Sequence, residues 1–263
     1  MKIGIFDSGL GGLVITKAIS QKMPEYDLMY LGDTINMPYG DKTKSAIYEY
    51  TQKGLNYLFD NGCKLVIVAC NSASADALRK IQQEFIPKKW PDRKALGVLI
   101  PSAEVAVEKG KNIGIICTQA TAESGAFDRE IGKLSDAKVL HQPTPELVEN
   151  IERGDTKKAH ANLQKYLKSL VDQKIDTLVL GCTHYPLLKN NIEELVGANV
   201  NIISQDDVVP QKLLKYLGNH DEITSELSTG SGREFYVTKI TPINQRLSKK
   251  FFGVNTHLQL AVI

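Results

Sequence analysis

The sequence predicts an α/β protein built from two pseudo-symmetric α/β lobes, with mostly parallel sheets and an active site in the cleft between them. Short apolar runs recur along the 263 residues, and each is followed by a turn and a helical pattern. These runs are continuous rather than alternating, which is typical of strands covered on both faces, as in parallel sheets. Two runs also end alike, in a cysteine followed within two residues by a hydroxyl side chain. Such a pair of matching units, one in each lobe, indicates pseudo-symmetry.

The regular alternation of strands and helices supports an open α/β architecture. The predicted strands are KIGIF at 2–6, DLMYLG at 27–32, KLVIVAC at 64–70, KALGVL at 94–99, NIGIIC at 112–117, TLVLG at 177–181 and VNIIS at 200–204. The predicted helices span 12–22, 44–60, 74–86, 102–109, 156–173 and 187–196. Because ligands of such folds bind beyond the carboxyl ends of the strands, residues at those ends are the candidates for function.

Two segments predict the limits of the lobes. The segment at 85–95 is rich in Pro and Lys and is predicted to connect the lobes, and the segment at 203–211 is predicted to cross back. We therefore expect a first lobe of residues 1–96 plus 208–263, which carries Asp7 and Cys70. The second lobe, residues 97–207, carries Cys182 and His184.

Composition excludes several classes of protein. The net charge is +2 and the basic residues are dispersed among acids, so no nucleic-acid partner is expected. No apolar run approaches the roughly 20 residues that span a bilayer, so no membrane association is expected. The chain starts in a strand without a signal peptide, and its four cysteines form no C-x-x-C pair. We therefore expect a cytoplasmic protein with reduced thiols, of which Cys63 and Cys117 are predicted to be small buried apolar side chains.

Cys70 and Cys182 both lie where a predicted strand ends and a helix begins. The backbone N–H groups and the helix dipole at such a turn favour an anion, which is either a thiolate or a bound carboxylate. His184 follows Cys182 by two residues, and Asp7 lies at another strand-to-helix turn, so each could serve one thiol as a neighbouring base. These four residues are the candidate catalytic groups.

Further candidates surround the two cysteines. The turn after Asp7 has glycines at 9, 11 and 12, which is not the spacing of a dinucleotide-binding loop, and it is predicted to bring backbone donors and Ser8 to a small anion. The loop at 32–43 follows a predicted strand and contains several Gly, Pro and Asp residues, and loops at that edge of a sheet often carry binding groups. Side-chain donors beside the cysteines are Asn71, Ser72 and Thr183. A glutamate in a helical segment, such as Glu149, is more often a charge exposed to solvent than a ligand.

The combined motifs GIFDSGLGGL, GDTINMPYGDKT, VACNSASA, GIICTQATAESGAF and VLGCTHYPLL resemble those of the glutamate racemases in the aspartate/glutamate racemase superfamily. The resemblance covers nearly the whole chain. It implies an enzyme that interconverts L- and D-glutamate without a cofactor or a metal and supplies D-glutamate for peptidoglycan. It also implies two lobes with a C-terminal segment that returns to the first, and we expect a homodimer.

The resemblance assigns roles at the matching positions. Cys70 and Cys182 are the acid/base thiols and Asp7 and His184 assist them. The implied substrate-binding residues are Asp7, Ser8, Tyr39, Gly40, Asn71, Ser72, Thr183, His184 and Glu149. The chain departs from the superfamily at PTPELVENIERG, residues 143–154, and at SQDD, residues 204–207, where the usual pattern is Ser-Gly followed by an acid. Because of these departures, the resemblance does not decide which side chain the amino-acid substrate carries.

Racemisation also fits the residues themselves, because it needs one group to remove a proton from Cα and another to deliver a proton to the opposite face. Two alternatives remain open. The first is an aspartate racemase or another amino-acid racemase of the same superfamily, which the altered segment 143–154 favours. The second is a binding protein for an amino acid or a metal, since cysteine, histidine and aspartate can ligate zinc. The scattered positions of these side chains lack a compact zinc spacing.

Overall fold

The computed structural model describes residues 1–263, which form two parallel sheets with helices packed around them. The strands are β1 (Lys2–Asp7), β2 (Leu28–Gly32), β3 (Cys63–Val68), β4 (Lys94–Gly97), β5 (Asn112–Cys117), β6 (Lys138–Pro143), β7 (Thr177–Gly181), β8 (Asn201–Ile203), β9 (Arg233–Val237) and β10 (Leu258–Leu260). The first sheet has the order β10-β9-β2-β1-β3-β4 and the second has the order β6-β5-β7-β8. Every strand pairing is parallel.

The helices of the first half are α1 (Gly12–Lys22), α2 (Lys44–Asp60), α3 (Asn71–Asp76), α4 (Leu78–Lys80), α5 (Ile86–Lys89), α6 (Leu99–Lys109), α7 (Gln119–Glu123) and α8 (Ala126–Gly132). Those of the second half are α9 (Leu147–Arg153), α10 (Thr156–Asp172), α11 (Lys189–Val196), α12 (Gln205–Gly218), α13 (Asp221–Thr224) and α14 (Pro242–Phe251). Short 3₁₀ turns at Tyr39–Asp41 and Tyr185–Leu188 and a π-helical turn at Ile81–Phe85 complete the helical structure. No helix is both long enough and apolar enough to cross a membrane.

The two sheets repeat one arrangement. The first four strands are ordered β2-β1-β3-β4, and the next four are ordered β6-β5-β7-β8, which is the same order shifted by four strands. The strands β2, β3 and β7 are buried along their whole length, as the continuous apolar runs predicted. The predicted α/β class with pseudo-symmetric parallel sheets is confirmed.

The C-terminal strands extend the first sheet. β9 pairs with β2, and β10 pairs with β9, so residues that lie more than two hundred positions apart in sequence are neighbours. The long helix α12 precedes them and packs against both α1 and α6. The lobe limits placed at 96 and 207 remain a prediction.

Several predicted bounds were wrong. The segment at 85–95, predicted to connect the lobes, contains α5 and the beginning of β4, which pairs with β3, so the chain leaves the first sheet only after Gly97. α6 begins three residues before the predicted start because Pro101 falls in its first turn, where proline is tolerated. The helix predicted at 74–86 begins already at Asn71, since Cys70 caps it.

Candidate active site

A small cavity of about 40 Å³ lies where the carboxyl ends of β3 and β7 face each other. It is lined by residues from both halves of the chain, namely Ser8, Pro38, Tyr39, Gly40, Cys70, Asn71, Ser72, Thr118, Val148, Gly181, Cys182, Thr183 and His184. Nine of the eleven predicted site residues are among them. Asp7 and Glu149 are not.

Cys70 is surrounded by oxygen atoms and backbone donors. Its Sγ lies 3.4 Å from Ser8 Oγ, to which the thiol donates, and it accepts the N–H of Ala73 at 3.5 Å as the cap of α3. Burial, together with the negative charge of Asp7, raises the pKa of the Cys70 thiol to about 12. Cys70 is therefore a protonated thiol at neutral pH.

Cys182 has an imidazole as its neighbour instead. Its Sγ lies 3.8 Å from Nδ1 of His184, whose Nε2 lies 2.9 Å from Glu152 Oε1. Burial opposes a charge on this ring, but the hydrogen bonds with Cys182 and Glu152 outweigh it and raise the pKa of His184 to about 10. Phe251 of α14 packs edge-on against the ring, with centroids 6.0 Å apart. A charged imidazole thus lies beside the second thiol.

Asp7 anchors the turn between β1 and α1. Its Oδ2 accepts the N–H groups of Gly9 and Gly12, each at 3.1 Å, while its Oδ1 is buried without a partner. Burial raises the pKa of Asp7, and the charge of His184 opposes that rise. A Cβ on Gly11 would clash with Thr183 and would lie 2.5 Å from Nδ1 of His184, so only glycine allows this turn to approach the Cys182 side.

The structure does not bring Glu149 into the site. The Glu149 side chain is 55% exposed and pairs with Arg153 at 2.5 Å. On the same helix, α9, Val148 lines the cavity, and Glu152, four residues later and on the same face, bonds to His184. The prediction chose the wrong acid of this helix, because Glu149 lies on the outward face.

The loop that carries Tyr39 and Gly40 is fixed by a buried carboxylate. Asp33 accepts the Tyr39 hydroxyl at 2.7 Å and the Thr238 hydroxyl at 2.9 Å. Burial and the charge of Asp33 raise the pKa of Tyr39, which therefore remains a donor. A Cβ on Gly40 would lie 2.8 Å from Cβ of Thr118, so the loop contacts the end of β5 closely.

The donors that follow Cys70 are held by neighbours that come after strands of the second sheet. Asn71 forms a reciprocal pair with Gln205, and Ser72 Oγ lies 3.0 Å from Thr118 Oγ1. Thr118 follows β5 as Ser8 follows β1, and this equivalence between the two sheets is the signal that could have identified it. No such signal existed for Glu152 or Phe251.

Neither a metal-binding cluster nor another cavity offers an alternative to this site. No group of three or more His, Cys, Asp and Glu side chains is arranged to hold a metal ion. A larger cavity of about 330 Å³ lies beside α6 and α12, but it is lined mostly by apolar residues and two ion pairs and contains neither cysteine. The cavity between Cys70 and Cys182 is the one that carries reactive groups.

The comparisons with known proteins agree with this geometry. The profile of the Asp/Glu/Hydantoin racemase family matches residues 15–207. The chain belongs to this family. Among racemases of the family, the glutamate racemase of Persephonella marina is 38% identical over 263 residues, covering 98% of this chain and 96% of that protein. The glutamate racemase of Aquifex aeolicus is 39% identical over 258 residues, covering 96% and 94%.

Solved structures of glutamate racemases also resemble this racemase-family chain. The glutamate racemase of Bacillus anthracis superposes with a TM-score of 0.90 at 27% identity and covers 100% of this chain and 97% of its own. The enzyme of Francisella tularensis, solved in complex with D-glutamate, has a TM-score of 0.88 at 29% identity and covers 99% and 97%. The resemblance predicted from the motifs is confirmed.

Proposed function

We propose that this chain interconverts L-glutamate and D-glutamate by a two-thiol acid/base mechanism. The observation that carries the proposal is that Cys70 and Cys182, at the ends of equivalent strands in the two sheets, line one cavity. A carbon atom held between them would present one face to each sulfur. The names of the relatives support glutamate as the substrate.

The different surroundings of the thiols supply the two protonation states that the reaction needs. In one direction the thiolate of Cys182, paired with charged His184, removes the α-proton, and the thiol of Cys70 delivers its proton to the opposite face. The reaction leaves a thiol at Cys182 and a thiolate at Cys70, which Ser8 Oγ and the Ala73 N–H can stabilise. The reverse reaction exchanges the two roles.

The carbanion intermediate requires electrostatic stabilisation in a site that excludes water. Backbone N–H groups at the strand ends and the hydroxyls of Ser72 and Thr118 would bind the substrate carboxylates. Cys70 and Cys182 are 5% and 7% exposed, so the walls of the cavity must separate to admit an amino acid. Closure around the substrate then keeps the reacting carbon dry.

One assay tests the proposal. The protein is incubated in D₂O with glutamate and, separately, with aspartate, and α-proton exchange and optical rotation are followed without pyridoxal phosphate. We expect exchange and loss of rotation with glutamate. If aspartate gives the higher kcat/KM, the chain is an aspartate racemase, and if neither substrate exchanges, the proposed enzyme function is wrong and a binding role remains.

The wider role rests on the family resemblance. The D-glutamate produced would enter peptidoglycan in the cytoplasm, and the active species would be a homodimer. Light scattering of the purified protein on a sizing column tests the dimer directly. Rescue by this gene of a bacterium that requires added D-glutamate tests the supply role, with Cys70→Ala as the negative control.

A further inference from the structure

A chain of three buried polar side chains leads away from the cavity at Asn71. Asn71 begins α3 and lines the cavity, Gln205 begins α12, and Ser102 lies in α6. Gln205 and Ser102 are fully buried. These three side chains therefore connect the turn after Cys70 to α6 and α12, two helices that pack against each other.

The hydrogen bonds among Asn71, Gln205 and Ser102 can run in only one direction. Ser102 donates its only hydroxyl proton to the carbonyl of Val98 at 2.8 Å, so its oxygen can only accept. The Gln205 atom that lies 3.4 Å from Ser102 Oγ must therefore be the donor Nε2. Rotation of the Gln205 amide by half a turn would place its carbonyl oxygen against the lone pairs of Ser102.

The orientation of Gln205 fixes that of Asn71. Gln205 Nε2 donates to Asn71 Oδ1 at 2.8 Å, and Asn71 Nδ2 donates to Gln205 Oε1 at 2.9 Å. A reciprocal amide pair taken alone could form with both amides rotated, because each contributes one donor and one acceptor. The contact with Ser102 removes that second arrangement.

The amide nitrogen of Asn71 has two N–H groups, and Gln205 occupies one of them. We propose that Gln205 and Ser102 are positioning residues that hold Asn71 as a hydrogen-bond donor toward a carboxylate of the substrate. A rotated Asn71 would present its carbonyl oxygen to that anion and repel it. The inference rests on the proposed function, since it takes a dicarboxylic amino acid as the ligand.

The segment SQDD at 204–207, where the sequence departs from the superfamily pattern, contains Gln205 and so takes part in this proposal. The resemblance to the superfamily predicts glycine at the position of Gln205, and glycine has no side chain with which to orient Asn71. The buried amide pair is proposed to act on the binding of the substrate more than on proton transfer.

The test compares Gln205→Met, Ser102→Ala and Ser102→Thr in steady-state racemisation of glutamate. Because a hydrogen bond to a charged group is lost, Gln205→Met and Ser102→Ala should each raise KM about tenfold, with kcat within about twofold of wild type. Ser102→Thr keeps the hydroxyl and should restore KM. Ser248→Ala, which removes another buried helical serine hydroxyl that donates to a backbone carbonyl, is the matched control and should change neither constant.

A double-mutant cycle separates positioning from packing. In an Asn71→Ala background, Gln205→Met should alter KM by less than about twofold, because the residue that it orients is absent. An unchanged KM in both single variants, or a fall in kcat that follows a fall in Tm and is not rescued by Ser102→Thr, would overturn the inference.

Binding measurements distinguish this inference from the proposed function. If the wild type does not racemise glutamate but binds it in a calorimeter, the catalytic proposal fails, while the ratio of Kd values between Gln205→Met and wild type still decides the positioning role. If the wild type neither turns over nor binds glutamate, both proposals fail. Melting temperatures of all variants identify any that do not fold.

Discussion

The two cysteine turns have equivalent places in the two sheets but different chemical surroundings. Cys70 follows β3 and contacts the hydroxyl of Ser8 at 3.4 Å, whereas Cys182 follows β7 and contacts the imidazole of His184 at 3.8 Å. Burial and Asp7 raise the pKa of Cys70 to about 12, while the pKa of His184 rises to about 10. One thiol therefore holds its proton firmly and the other lies beside a positive charge.

The difference shows that a repeated backbone can be made into an asymmetric acid/base pair by the residues next to each sulfur. Burial and an aspartate favour the thiol at Cys70, and an imidazolium beside Cys182 favours the thiolate. The proposed two-thiol mechanism requires such a contrast, with a firmly protonated thiol on one side of the cavity and an imidazolium on the other. The same contrast defines which substitutions should matter most.

The largest effect is expected from removing either sulfur. Cys70→Ser and Cys182→Ser should each lower the rate of racemisation by about a thousandfold or more, because a serine hydroxyl is a far weaker acid. In D₂O each variant should still exchange the α-proton of one enantiomer, and the two variants should act on opposite enantiomers. Exchange of the same enantiomer by both variants would contradict the assignment of one thiol to each face.

A methyl group on Gly11 should disturb only the imidazole side. Because its Cβ would lie 2.5 Å from Nδ1 of His184, Gly11→Ala must displace the ring, and a misplacement near 1 Å costs about a hundredfold in rate. The measurement is kcat/KM for glutamate. Gly132→Ala is the control, since no atom lies within 4 Å of the added methyl.

A smaller effect is expected when the acid behind the imidazole loses its charge. Glu152→Gln keeps the side-chain length but removes the charged hydrogen bond to His184 Nε2, so kcat should fall about tenfold. Glu149→Gln, three residues away on the same helix, breaks only an exposed pair and should remain within about twofold of wild type. Equal losses in both variants would mean that α9 acts through its fold alone.

The last expected effect concerns the stability of the fold and not the rate of racemisation. The folded pKa of His184 is about 10, above its ordinary value of 6.5, so its stabilising contribution is complete below pH 6.5 and is lost as the pH rises through 10. Urea unfolding from pH 6 to pH 10 should show wild type losing on the order of 4 kcal/mol more than His184→Asn, because each pKa unit is worth about 1.4 kcal/mol. The buried cysteines also destabilise the fold at high pH, but they do so in both proteins. Parallel curves would show that the imidazole carries no such charge.

Most of the site could be predicted because carboxyl ends of parallel strands converge, so motifs that follow buried strands must meet. The central strands β1, β3, β5 and β7 are continuous apolar runs, and the turns after them carry Ser8, Cys70, Thr118 and Cys182. Thr118 was overlooked although its position is equivalent to that of Ser8.

Several of the elements that were missed lack such a signal. Residues 138–143 and 258–260 are edge strands with half-exposed or exposed side chains, so they need no apolar run. α9 begins after Glu146, whose φ is 64°, and the sequence does not show which acid of so short a helix turns inward. The pairing of β9 with β2 joins distant parts of the chain, and no local pattern encodes it.

That late pairing has a consequence for synthesis of the protein. The second sheet uses one continuous stretch, from β5 to β8, and can assemble as soon as that stretch has left the ribosome. The loop with Tyr39 is completed much later. Its Tyr39 hydroxyl donates to Asp33, and Asp33 also accepts the hydroxyl of Thr238, which directly follows β9. A nascent chain can therefore complete half of its fold while the loop with Tyr39 still lacks its contact with Thr238, and that loop is fixed only after β9 has been synthesised.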